Sequence, residues 1–175
     1  MTGLAPLCGK IGVFIGPHAE HEMTMQLVAV LALDGSVSVL AGGNRFDAYQ
    51  VARAIRRQTH ELEPALARVR IARAFTAYQM VALLEQAPAG PTPQLVTDLL
   101  TTFDDDNITV GEGKRLLQIV IAELRRLAGE TAVVVTLRPP RLPGRAGMVA
   151  QLLEIADYSF TRRPPAPEMV QPRLF

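Results

Sequence analysis

The chain has 175 residues, a formal net charge of +1 and 49% hydrophobic residues. This length and composition indicate one globular domain with a single core and exclude an intrinsically disordered chain. Because the net charge is close to zero, no global field attracts nucleic acid or an anionic membrane, and any basic surface has to be local.

Short apolar runs alternate with longer helical patterns along the chain. Strands are predicted at residues 11–15, 37–41, 69–74, 95–99, 132–136 and 158–161. Helices are predicted at residues 23–33, 78–86, 114–128 and 148–155, and a further one begins after Asp47, its N-cap, and runs through Arg57. The alternation predicts an α/β fold with a mostly parallel sheet.

Ligands of such sheets bind beyond the carboxyl ends of the strands. In this chain those ends carry residues 16–23, 42–46, 98–106 and 138–147. A binding site, if the chain has one, is therefore expected among these four segments.

Residues 70–80 carry a family resemblance. The string Ala72-Arg73-Ala74-Phe75, followed by Gln79, resembles the "ARAFN...HQ" string of the archaeal and eukaryotic RecA/RadA recombinases. The resemblance extends over residues 9–163 and is strongest at 70–87. It implies a RecA-like core in residues 1–163, built as a three-layer sandwich with a mostly parallel central sheet, followed by a proline-rich tail at 164–175.

The resemblance also implies ATP hydrolysis through a phosphate-binding loop of the form GxxxxGK[ST]. Of that pattern only Gly16 is present. His18 lies inside the loop, His21 stands at the second glycine, Glu22 at the lysine and Met23 at the serine or threonine. A carboxylate in place of the lysine repels phosphate, which changes the interaction by several kcal/mol at roughly 4 Å. The loop is therefore predicted to be degenerate.

Other catalytic positions of the family are also altered. No carboxylate follows the second strand, and Leu137 and Arg138 stand where the family has asparagine and glutamine. Only the acid that ends the central strand remains, as Asp98. The resemblance therefore implies a core that has lost ATPase activity, with no catalytic residues and no cofactor.

Two acidic or histidine-containing segments could bind metals, but a simpler interpretation is preferred for each. His18 and His21 alternate with Glu20 and Glu22, which suits zinc, yet a polar loop without a ligand is the preferred reading. Residues 104–106 are three aspartates that resemble the start of a calcium loop, but the required glycine and glutamate are at the wrong offsets. No metal is expected.

Arginines are concentrated in two places. Arg138, Arg141 and Arg145 occupy the segment that corresponds to a DNA-contacting loop of the family, where they could contact phosphates, or form an ordinary solvated loop. The second group extends from the helix after Asp47 to the strand predicted at 69–74: Arg53, Arg56, Arg57, Arg68, Arg70 and Arg73.

The first functional hypothesis is a catalytically inactive RecA-like domain with a structural or regulatory role in DNA repair or recombination. Its expected partners are an active RecA-like ATPase or a second copy, and single-stranded DNA. The alternatives are an atypical ATPase that binds ATP and magnesium through Asp98, and a DNA-binding accessory module. The single cysteine, Cys8, excludes an intrachain disulfide, and no segment reads as a membrane span, so a cytoplasmic protein is expected.

Overall fold

The computed structural model describes residues 8–16 and 19–162. His18 and the tail at 164–175 lie outside these ranges. The described chain forms six strands: β1 (Ile11–Ile15), β2 (Val37–Gly42), β3 (Val69–Ala74), β4 (Gln94–Thr97), β5 (Val133–Leu137) and β6 (Tyr158–Thr161). Its helices are α1 (Ala19–Asp34), α2 (Ala48–Arg56), α3 (Leu62–Ala67), α4 (Ala77–Gln86), α5 (Val110–Ala128) and α6 (Gly147–Glu154), with a 3-10 helix at Leu99–Phe103.

The strands form one sheet in the order β3-β2-β4-β5-β1-β6, and every neighbouring pair is parallel. One face of the sheet packs against α1, α2 and α3, and the other packs against α4, α5 and α6. The predicted three-layer α/β sandwich is thereby confirmed. All five residues of β5 are buried, as expected for a β-branched run covered on both faces.

Side-chain caps define where several helices begin. Asp47 is the N-cap of α2, as predicted, because its carboxylate accepts hydrogen bonds from the backbone N–H groups of Tyr49 and Gln50. Thr109 caps α5 by accepting from the N–H of Glu112, so this helix begins four residues before the predicted start at Lys114.

The strand predicted at 95–99 was wrong at its carboxyl end. β4 ends at Thr97, and Asp98 adopts a left-handed conformation with φ 51°. The chain then turns into the 3-10 helix, which buries Leu99, Leu100 and Phe103. The apolar run that suggested a longer strand therefore forms a buried 3-10 helix that packs at the end of the sheet.

Candidate functional site

The chain changes direction across the sheet between β2 and β4. After β2 it continues through α2 and α3 to the edge strand β3, while after β4 it continues through α5 to β5 on the other side. Such a switch point opens a crevice at the carboxyl ends of the two strands. Here the backbone fills that crevice, since a Cβ added at Gly42 would lie 2.4 Å from the carbonyl oxygen of Asp98.

A small space remains beside this contact, and we call it the strand-end site. Its volume is about 20 Å³, which holds about one water molecule and no triphosphate. It is lined by Gly16, His21, Thr24, Met25, Arg45, Phe46, Thr97, Asp98, Thr136, Leu137 and Arg138. The sequence predicted four of these as site residues: Gly16, His21, Asp98 and Arg138.

Asp98 and Arg138 form an ion pair inside the strand-end site. The Arg138 Nε lies 3.1 Å from Asp98 Oδ1, and Arg138 Nη2 donates to the Thr101 hydroxyl at 2.9 Å. The backbone N–H of Asp98 donates to Thr136 Oγ1 at 3.1 Å. The carboxylate that would hold magnesium in an ATPase is thus neutralised by a guanidinium from the neighbouring strand end.

The first turns of α1 distribute the predicted loop residues over three different surfaces. His21 is half-buried and lines the strand-end site, together with the buried Thr24. Glu22 is exposed, accepts from Gln26 Nε2 at 3.4 Å and lines a separate groove beside α2. Met23 lines an apolar groove beside β6. Glu22 and Met23 are therefore not among the described residues that line the strand-end site.

Arg141 and Asp104 join the arginine loop to the acidic loop. The carboxylate of Asp104 accepts from Arg141 Nε at 3.0 Å and from the backbone N–H groups of Arg141 and Leu142, both at 3.1 Å. Burial raises the pKa of Asp104, but these hydrogen bonds together outweigh burial and hold the pKa below its ordinary value.

Arg145 is buried beneath the same two loops, with 3% of its surface exposed. Its Nη2 donates to the carbonyl oxygens of Asp105 and Ile108, both at 2.6 Å. All three arginines predicted to contact nucleic acid thus contact the 98–108 segment of the same chain. The Arg141 side chain is 89% exposed, whereas that of Arg138 is 30% exposed.

The arginines of α2 and its C-cap differ from those of the loop. Arg53, Arg56 and Arg57 are exposed, and within the described ranges no acidic side chain forms an ion pair with them. Arg68 is committed elsewhere, because its Nη1 donates to the carbonyls of Ala32 and Leu33 at the C-terminus of α1.

The string that carries the family resemblance has a local structural role. Thr76 is the N-cap of α4 and accepts from the N–H of Gln79, while the Gln79 side chain accepts from the N–H of Phe75 at 2.8 Å. This reciprocal arrangement is similar to a capping box. It fixes how the chain passes from β3 into α4, and it explains the phenylalanine-to-glutamine spacing without any ligand.

Sequence reasoning missed several residues of the strand-end site, including Thr24, Arg45, Phe46 and Thr136. Thr24 directly follows Met23. If the phosphate-loop pattern were aligned one residue later, the Thr24 hydroxyl would stand at its serine or threonine position. Phe46 and Thr136 are both buried. Phe46 follows the second predicted strand, and Thr136 is the last residue of the strand predicted at 132–136, so only these positions could have drawn attention to them.

The sequence matches no model of a known protein family and no curated protein. The resemblance to RecA/RadA recombinases thus stays a prediction that depends on the residues given above. Within the described ranges, no helix is long and apolar enough to cross a bilayer. The same ranges contain no group of three or more histidine, cysteine or acidic side chains arranged to hold a metal ion.

Proposed function

We propose that this chain is a RecA-like domain without ATPase activity that acts as a structural or regulatory partner of another protein. The observation that carries the proposal is the ion pair between Asp98 and Arg138 in the strand-end site. A magnesium ion needs hard oxygen ligands, and here the carboxylate already contacts a cation. The proposed partner is an active RecA-like ATPase, and the proposed setting is DNA repair or recombination.

The small volume of the strand-end site supports the same proposal. Bound triphosphate requires backbone donors and a lysine around several phosphate oxygens. Among the described residues of this site there is no lysine, and the space is about the size of one water molecule. Magnesium binding at Asp98 would need Arg138 to leave the carboxylate.

Nucleotide binding is tested by thermal unfolding of the full chain with and without ATP and magnesium. We expect the melting temperature to stay unchanged at saturating nucleotide. A ligand present at about 100 times its Kd would add about 2.7 kcal/mol to the free energy of unfolding, so binding would be visible. A rise of several degrees would overturn the proposal in favour of the atypical ATPase.

The variant Arg138→Gln sharpens this test, because it frees the Asp98 carboxylate while leaving the rest of the site. If the ion pair is what excludes magnesium, this variant gains affinity for magnesium that the unchanged chain lacks. The matched control is Arg141→Gln, which removes a mostly exposed guanidinium that does not contact Asp98.

The partner role is tested by adding the chain to an active RecA/RadA-type ATPase and measuring its hydrolysis rate. A regulatory partner changes that rate saturably as its concentration rises. Unchanged hydrolysis, together with no detectable association by sedimentation, would contradict the proposed partner while leaving the nucleotide result intact.

One observation favours a second candidate function, binding to single-stranded DNA. The exposed Arg53, Arg56 and Arg57 have no described acidic partner and are free to contact phosphates. Binding that weakens steeply with salt, and that is lost in Arg53→Gln/Arg57→Gln, would support this function. No binding at low salt would remove it.

A further inference from the structure

The solvent-facing side of α2 combines an aromatic ring with arginines. We call this surface the α2 face, and it consists of Tyr49, Arg53, Arg56 and Arg57, the C-cap of the helix. All four residues are exposed. The opposite side of the helix is buried and consists of Val51, Ala54 and Ile55. Tyr49 is 67% exposed, which is the highest value among the large apolar side chains of the described residues.

Residue spacing brings the ring and the guanidinium groups to the same side of the helix. Residues three or four apart on a helix are neighbours, with about 5–6 Å between their Cβ atoms. Tyr49 is therefore next to Arg53, and Arg53 is next to both Arg56 and Arg57. From Tyr49 to Arg56 the α2 face extends about 10 Å along the helix axis. Aromatic and basic residues thus alternate along one continuous surface.

The α2 face carries positive charge that no described side chain neutralises. The helix sequence AYQVARAIR contains no acidic residue, and within the described ranges none of the three arginines forms an ion pair. The nearest acid along the chain is Asp47, whose carboxylate already accepts from two backbone N–H groups. Like charges four residues apart destabilise a helix. An anion bound to this face would relieve that repulsion.

A groove with a mostly polar lining lies beside this face, between α1 and α2. Its volume is about 220 Å³, and it is lined by Glu22, Met25, Gln26, Gln50, Arg53, Ala54 and Arg57. Guanidinium groups and side-chain amides, which this lining provides in pairs, are groups that bind phosphate oxygens. The described lining includes one carboxylate, Glu22, which accepts from Gln26 and forms no ion pair with either arginine.

We propose that the α2 face binds single-stranded DNA by stacking a base on the Tyr49 ring, while a neighbouring phosphate lies in the groove beside Arg53 and Arg57. The proposal rests on the second candidate function given above and adds the residue that selects a single strand. Stacking on an aromatic ring tolerates any sequence, since every base has a π face. In a duplex the bases stack on one another and leave none for Tyr49. An acidic peptide would use the arginines alone, so the exposed ring favours DNA.

The proposal is tested on the full chain by fluorescence anisotropy with a labelled oligothymidylate at low salt. We expect Tyr49→Ser to weaken binding by about 5- to 100-fold, the effect of losing one stacked base. Tyr49→Phe keeps the ring and should bind like the unchanged chain, as should the control Tyr158→Ser, which removes a ring that is 54% exposed on β6. The slope of log affinity against log salt should be unchanged in Tyr49→Ser. In Arg53→Gln it should decrease in magnitude by about 0.7, because only the arginine neutralises a phosphate.

A strand of the same length without bases separates stacking from a structural role of Tyr49. The unchanged chain and Tyr49→Ser should bind this abasic strand equally. Weaker binding of the abasic strand by Tyr49→Ser would overturn the proposal, because it would indicate a distorted α2.

Other results would also contradict the proposal. If Tyr49→Ser bound oligothymidylate as tightly as the unchanged chain does, stacking would be refuted and single-stranded DNA would remain a candidate ligand. A polyglutamate peptide that binds as tightly as the oligonucleotide would favour an acidic protein partner instead. No binding at low salt would remove the candidate function together with this proposal, so the two failures are distinguishable.

Discussion

The strand-end site differs in polarity and in openness from the apolar groove beside β6 that Met23 lines, here called the β6 groove. The strand-end site is polar and filled, since its acid and its guanidinium contact each other and the backbone closes the crevice at Gly42. The β6 groove is apolar and open among the described residues, with two aromatic side chains more than half exposed. The comparison teaches that the position where α/β sheets usually bind ligands is here the less available of the two.

The largest loss of stability is expected when a methyl group is added at the closest backbone contact beside the strand-end site. Gly42→Ala would place Cβ 2.4 Å from the Asp98 carbonyl oxygen, and the three nearest atoms all belong to the backbone of Thr97 and Asp98, which cannot rotate away. We expect the free energy of unfolding to fall by about 2–3 kcal/mol, measured by urea denaturation. Gly147→Ala is the matched control, because beyond its chain neighbours and its own helix backbone no atom lies within 4 Å of the added Cβ. An equal effect of both changes would show that the close approach at Gly42 is not what matters.

The groove is probed by removing an aromatic ring. The ring of Phe160 is 53% exposed and lies 6.3 Å from that of Phe14, so we expect Phe160→Ser to lower the free energy of unfolding by about 1 kcal/mol through loss of this ring contact. Tyr49→Ser, which removes a side chain that is 67% exposed, is expected to change it by less than about 0.5 kcal/mol. Equal small effects of the two changes in urea denaturation would show that the contact between Phe160 and Phe14 adds no measurable stability.

A double-mutant cycle measures the contact that closes the strand-end site. Asp98→Asn keeps a residue that tolerates the left-handed backbone, and Arg138→Gln removes the guanidinium. We expect a coupling energy of about 1 kcal/mol between the two, since both side chains are partly buried. A coupling near zero would mean that Arg138 does not neutralise Asp98 in solution.

The smallest expected effect is on the pH dependence of stability, which should differ between a variant of the charged region and a variant of the apolar groove. Because hydrogen bonds hold the pKa of Asp104 below its ordinary value, Asp104 contributes stability above the ordinary pKa of about 3.9, and this is lost as pH falls through the folded value. Asp104→Asn should therefore show a shallower loss of stability below about pH 4 than the unchanged chain. Phe160→Ser removes no titrating group and should follow the unchanged chain in parallel.

Glu112 provides the reference for that acid titration. Hydrogen bonds from Arg115 and from the Tyr78 hydroxyl lower its pKa to about 2, so its contribution is lost only in stronger acid than that of an ordinary glutamate. The Glu112→Gln variant should no longer show the loss of stability near pH 2 that protonation of Glu112 causes. The loss of stability that protonation of Asp104 causes should remain. If the two variants gave the same pH profile, neither assignment would stand.

The sequence alone was enough to predict the elements whose structure depends on local residue patterns. The β-branched run of β5 and the apolar face of α5 follow directly from residue spacing, and the capping role of Asp47 follows from residue type. The turn at Asp98 did not follow, because it depends on Gly42 and Thr136, which come from two other strands. No periodicity within residues 95–99 encodes those contacts.

The positions of the strand ends were predicted more accurately than the side-chain contacts made there. The carboxyl ends of the strands were predicted to within two residues. The partners of Arg138, Arg141 and Arg145, however, lie about 40 residues away in sequence. A count of arginines therefore overstated the positive charge available to a phosphate backbone. The same limit applies to Glu22, whose assignment to the phosphate cradle depended on aligning a loop to within one residue.

The position of β1 in the sheet has a consequence for synthesis on the ribosome. This first strand pairs only with β5 and β6 among the described strands, although it is made before all the others. About 120 residues separate its end from the start of β5, so at typical translation rates it waits of the order of ten seconds for a partner. During that interval its apolar side chains have no strand partner and are available to chaperones.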